Sequence, residues 1–151
     1  MKSSPAPDEP CLSPHQILEQ VFKRLEKYKH LNISEQFAMF MGKAQLLEIG
    51  LKSLLVRRYS HGYEKKKWTL GKTARELKKC ALRGDFIFLL ESVVDYRNYI
   101  AHELLANDAM LRSLTGGDSG RLELRTLEKG TIELEQILFL YDWCEEHNAW
   151  G

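Results

Sequence analysis

From Pro14 onward the apolar residues recur at i, i+3 and i+4, the spacing of helices with one buried face. Ser13, Pro14 and Gln16 supply an N-cap, a proline at the first helical position and a capping-box glutamine. A first helix then runs to about Lys29, with Ile17, Leu18, Val21, Phe22 and Leu25 on one face. Ser34 caps a long second helix to about Arg58, carrying Phe37, Phe40, Met41, Ala44, Leu47, Leu51, Leu54 and Leu55. The third helix covers about Leu70 to Leu82, with Gly84 as its stop signal. Asp85 caps a fourth, about Phe86 to Leu105. The last lies within about Leu127 to His147, and Gly130-Thr131 is a candidate break in it. Tyr59 to Thr69 forms a polar connection, and Gly116 to Gly120 the clearest flexible loop. The pattern predicts an all-α, antiparallel bundle of four to five helices, with a disordered tail over 1–12 and one domain over 13–151.

Composition agrees with that pattern. All four prolines lie within the first fourteen residues, and a proline inside a helix costs about 3 kcal/mol, so the rest of the chain lacks that interruption. Leucine occurs 24 times against 11 for valine plus isoleucine, which favours helix over strand. The chain of 151 residues is 44% hydrophobic and 28% charged, which excludes wholesale disorder. No apolar run approaches a membrane span, and the opening residues lack the apolar core of a signal peptide. Three cysteines (Cys11, Cys80 and Cys144) without paired spacing point to reduced thiols and a cytoplasmic protein rather than a disulfide framework.

A formal net charge of +1 hides an uneven distribution. Arg57 to Arg83 holds ten Lys and Arg against two Glu, a net of +8, whereas Leu122 to the end carries a net of −5. The basic stretch suits a polyanion, with Lys65, Lys66 and Lys67 for phosphates and Trp68 and Tyr63 for base stacking. A solvated helix face explains the same charges. So does an interface at which the two charge zones of neighbouring subunits meet.

The fourth helix holds an anomaly. At about 100° per residue, Phe86, Leu90, Val93, Ala101 and Leu104 fall within about 40° of Arg97, and Ile100 within about 60°. A guanidinium at the centre of an apolar arc is costly unless something faces it. A carboxylate on another helix, a groove or a subunit interface would each serve. Asn98 and His102, with Glu91 and Asp95, occupy the polar edge of the same helix. Histidine exchanges a proton near neutral pH, and a fixed guanidinium neutralises charge developing on a phosphate. RNA supplies its own nucleophile in the 2′-hydroxyl, so cleavage by such a set requires no metal.

The segment Arg97-Asn98-Tyr99-Ile100-Ala101-His102 resembles the Arg-x(4–6)-His signature of the HEPN superfamily (higher eukaryotes and prokaryotes nucleotide-binding), in which a polar residue commonly follows the arginine. An all-α chain of this length, with the motif near the end of a long penultimate helix, is similar to that family, as is the Thr69-Leu70-Gly71 lead-in. The resemblance implies a homodimer whose two motifs converge on one cleft. It also implies metal-independent endoribonuclease activity of a toxin, defence or RNA-processing type, with Arg97 and His102 catalytic and Asn98 auxiliary. RNA and a protein antitoxin are the partners implied, with no cofactor and no membrane. Leu104 stands where toxins paired with a minimal nucleotidyltransferase often carry a tyrosine, which argues against that partnership. Some members act instead as non-catalytic dimeric modules that bind nucleotide, nucleic acid or protein.

Other motifs fail on spacing. Gly71-Lys72-Thr73 lacks the first P-loop glycine, since position 66 is Lys. His102-Glu103 has Ala106 where a zinc-protease helix needs its second histidine. Cys144 and His147 lack a complementary pair for zinc.

Overall fold

The computed structural model describes residues 12–59, 67–104 and 121–151, all helical apart from caps, turns and the C-terminal residues. Its elements are α1 (Pro14–Leu25), α2 (Ile33–Tyr59), α3 (Leu70–Lys79), α4 (Gly84–Tyr99) and α5 (Arg121–His147). A 3-10 turn, Glu26–Tyr28, extends α1, and a π-helical turn, Ile100–Leu104, extends α4. The expected tail lies outside the described residues apart from Leu12, which is half-buried against the core instead of disordered, and the Gly116 to Gly120 loop lies outside them as well.

Capping chemistry sets most of the starts. The Ser13 side chain accepts from the Gln16 backbone N–H at 3.2 Å while Ser13 N–H donates back to Gln16 Oε1 at 2.9 Å, the expected capping box. The second helix opens earlier than expected. Asn32 Oδ1 accepts from Glu35 N–H at 2.8 Å and Asn32 N–H donates to Glu35 Oε1 at 3.2 Å, so Asn32, not Ser34, caps α2. The third helix stops three residues short of expectation. Ala81 adopts a left-handed φ of 56°, and the Cys80 N–H turns back to Leu77 O at 3.0 Å. Gly84 therefore begins α4 instead of ending α3. Asp85 lies in the first turn of α4 rather than ahead of it, and its carboxylate takes Arg83 at 2.7 Å and Phe86 N–H at 2.8 Å.

The helices pack around α5, which touches α1, α2 and α4, while α3 closes against α2 and α4. Side-chain pairs fix the directions. Ser92 meets Glu133, and the Arg83 N–H meets the Trp150 carbonyl, so α4 and α5 run antiparallel. Tyr28 with Glu135 and Arg24 with Asp142 make α1 antiparallel to α5 as well. By contrast Lys43 meets Glu135 and Arg57 meets Glu145, so α2 runs in the same direction as α5. The core between them includes Phe40, Leu51, Leu54, Leu77, Leu90, Ile100, Leu134 and Ile137, all buried.

Gly130 does not break α5, which is continuous from Arg121 to His147. A Cβ there would lie 3.0 Å from Ile100 Cδ1 and 3.3 Å from both Phe40 and Tyr96 ring carbons. Its missing side chain lets α2, α4 and α5 approach at one level. At the other end Trp150 is buried, with Phe86 edge-on at 5.1 Å and its Nε1–H donated to Glu145 Oε1 at 3.1 Å. That end of the chain is thereby pinned onto the α3–α4 turn.

Candidate nucleic-acid interface

Along α4, Phe86, Leu90, Val93 and Ile100 are buried in one stripe, and Arg97 takes the position in it that the helical wheel assigns. Arg97 is half-buried, and Nη1 donates to Asn98 Oδ1 at 3.3 Å. No carboxylate among the described residues forms an ion pair with it. Asn98 is exposed on the flank of α4 that faces α3.

One turn on, the helix changes type. The π-helical turn Ile100–Leu104 bonds i to i+5, a geometry that is rare and often found at functional sites. Such a turn advances less per residue than the 100° of an α-helix, so His102 swings back toward the azimuth of Asn98. The imidazole is exposed. The motif thus presents a held guanidinium, an amide and an open imidazole on successive turns. Nothing in the residue order alone signals the π turn.

The basic segment divides into spent and unspent charge. Arg57 pairs with Glu145 at 2.9 Å, Lys78 with Glu91 at 2.9 Å, Lys79 with Glu76 at 3.0 Å and Arg83 with Asp85 at 2.7 Å. Lys67, Lys72 and Arg75 have no carboxylate partner among the described residues. Lys67 is exposed, and Trp68 is half-buried with Lys72 Nζ 5.2 Å from its ring centroid. Lys65, Lys66 and Tyr63 lie outside the described residues. Arg75, which motif reasoning missed, lines a groove of about 380 Å³ between α3 and α4 together with Asn98. The signal for it was the i, i+3 spacing of Lys72 and Arg75 on one face.

The acidic zone is largely occupied within the chain. Glu135, on α5, is fully buried and receives Tyr28 OH at 2.5 Å and Lys43 Nζ, with Lys27 at 3.6 Å and Arg24 at 3.8 Å. Burial opposes its ionisation, yet the hydrogen bonds from Lys43 and Tyr28 and the charges of Lys43 and Lys27 hold its carboxyl below the usual range. Burial lowers the Lys43 ammonium in turn, and burial beside Glu135 pushes the Tyr28 phenol up. This network ties α1, α2 and α5 together, and the periodicity of α5 gave no sign of it.

Both described cysteines are poor nucleophiles, because burial pushes the Cys80 and Cys144 thiols up. Among the described residues no group of three or more His, Cys, Asp or Glu is arranged to hold a metal ion. No helix among them is long and apolar enough to cross a membrane. Compared with protein-family models, with curated proteins and with solved structures, the chain matches none.

Proposed function

We propose that this chain is a HEPN-like, metal-independent endoribonuclease that works as a homodimer, with the Arg97, Asn98 and His102 of both copies in one cleft. The observation that carries this reading is Arg97. It is half-buried in the apolar stripe of α4, its guanidinium held by Asn98 and by no carboxylate among the described residues. A phosphate or a second copy of the chain would supply the counterpart that a half-buried charge in an apolar stripe favours.

The reaction follows from these groups. The His102 imidazole removes the proton of a ribose 2′-hydroxyl, and the 2′-oxygen attacks the adjacent phosphorus. The bond to the 5′-oxygen breaks, and that oxygen takes a proton from the imidazole of the second copy. A 2′,3′-cyclic phosphate and a 5′-hydroxyl result. Arg97 stabilises the charge gathering on the phosphoryl oxygens, an effect worth about 3–4 kcal/mol per preorganised donor in comparable sites. Lys67, just ahead of α3, and Lys72 and Arg75 on it supply unspent positive charge for neighbouring phosphates.

Purified protein in excess EDTA is expected to cut single-stranded RNA to cyclic-phosphate ends, and His102→Ala to abolish cutting with its thermal melt unchanged. Cutting that survives His102→Ala, or that needs Mg²⁺, overturns the mechanism. RNA binding without any cutting would identify the chain as a non-catalytic module instead.

A further inference from the structure

The groove between α3 and α4 has an unusual distribution of polar groups. Gly71, Ala74 and Val94 form its apolar lining, and Arg75 stands on the α3 side. On the α4 side lie Glu91, Asp95 and Asn98, successive members of one helical face. Glu91 is neutralised by Lys78 at 2.9 Å. Asp95 is exposed, and neither it nor Arg75 has a hydrogen-bond or ion-pair partner among the described residues. Asn98 uses its amide oxygen to accept from Arg97, which leaves its NH₂ group as the donor available to the groove.

We propose that this groove is a guanine-selective nucleotide subsite, with Asp95 and Asn98 reading the base and Arg75 holding its phosphate. The base edge that matches is an acceptor beside two N–H donors. Guanine presents O6, N1–H and the 2-amino group in that order. The Asn98 NH₂ donates to O6, and the Asp95 carboxylate accepts from N1–H and the 2-amino group together. Adenine and cytosine each offer one amino donor beside a ring-nitrogen acceptor, which repels a carboxylate. Uracil has a single N–H between two acceptors. Residues three apart on a helix have Cβ atoms about 5–6 Å apart, a separation suited to two side chains that share one base edge. Base-edge recognition of this kind is how proteins select single-stranded RNA. Gly71 contributes no side chain to the groove floor, where a Cβ would meet Val94 at 3.4 Å and Thr69 at 3.9 Å. The groove adjoins the motif through Asn98, so the inference rests on the nuclease reading for its role as a cleavage-site selector.

Mononucleotide binding tests the subsite without requiring any cleavage. Guanosine 5′-monophosphate, inosine 5′-monophosphate and adenosine 5′-monophosphate are titrated into the whole protein and followed by amide chemical shifts. Guanosine monophosphate should bind about tenfold or more tighter than the adenosine compound, as a bidentate base contact provides. The inosine compound, lacking the 2-amino group, should fall between them. Asp95→Asn should erase the preference, and Arg75→Gln should weaken the monophosphate several-fold while leaving guanosine itself unchanged. Equal affinities, a preference that survives Asp95→Asn, or no guanosine monophosphate binding by about 10 mM overturns the proposal. RNA cutting without guanine preference overturns the subsite alone. Guanine preference without RNA cutting supports the subsite and overturns only the nuclease reading.

Discussion

At the residue scale Glu135 and Arg97 both stand where apolar groups would be the default, and they are handled in opposite ways. Glu135 is fully buried and surrounded by Tyr28, Lys43, Lys27 and Arg24, so its charge is consumed by the fold. Arg97 is half-buried and, among the described residues, is held by a neighbouring amide and by no carboxylate, so its charge remains available to a ligand or partner. The pH dependence of Glu135 follows from its lowered pKa. The unfolded carboxyl titrates near 4.5 and the folded one below it, so its stabilisation is complete above that value and is lost as pH falls through the folded pKa. Glu135→Gln is expected to cost about 3 kcal/mol at pH 7, the magnitude for breaking a buried pair, and to shrink the loss of stability between pH 5 and 3. Chemical denaturation across that range checks both effects. The position of Arg97 was legible from the sequence because Phe86, Leu90, Val93 and Leu104 recur on its side of the helix. Glu135 was not, since its partners Tyr28 and Lys43 come from helices about a hundred residues away along the chain.

At the element scale, helix starts and stops depend on single backbone hydrogen bonds, and this is where sequence and structure part. Asn32 displaces Ser34 as the α2 cap because it forms the reciprocal pair with Glu35. Ala81 ends α3 in a left-handed conformation usually given to glycine, so a residue order that placed the stop at Gly84 overshot. Glycines within helices illustrate the same point, because their meaning lies in what surrounds them. Gly130→Ala should destabilise the protein by about 1–3 kcal/mol, since a Cβ at 3.0 Å from Ile100 and 3.3 Å from Phe40 overpacks three helices. Gly71→Ala should stabilise it by about 0.5–1 kcal/mol, because its nearest new contact is an ordinary 3.4 Å and alanine is the better helix former. Thermal melts of the two variants are expected to move in opposite directions.

At the scale of the whole molecule, the all-α bundle was readable from proline placement, leucine content and periodicity. The shared direction of α2 and α5 was not, because helix periodicity contains no information on neighbours. The acidic residues Glu135, Asp142 and Glu145 of α5 are engaged by Arg24, Lys27, Lys43 and Arg57 inside the chain, so they serve the fold. Among the described residues, Lys67 just ahead of α3 and Lys72 and Arg75 on it have no carboxylate partner and lie on the side of the bundle that carries the groove beside α4. On the proposed reading, a second copy of the chain completes the surroundings of Arg97. Sedimentation velocity at micromolar concentration measures this most directly. The parent protein is expected to sediment as a particle of twice the 17.5 kDa chain mass, and Arg97→Ala to shift it toward single chains. A parent protein that sediments as a single chain would contradict it.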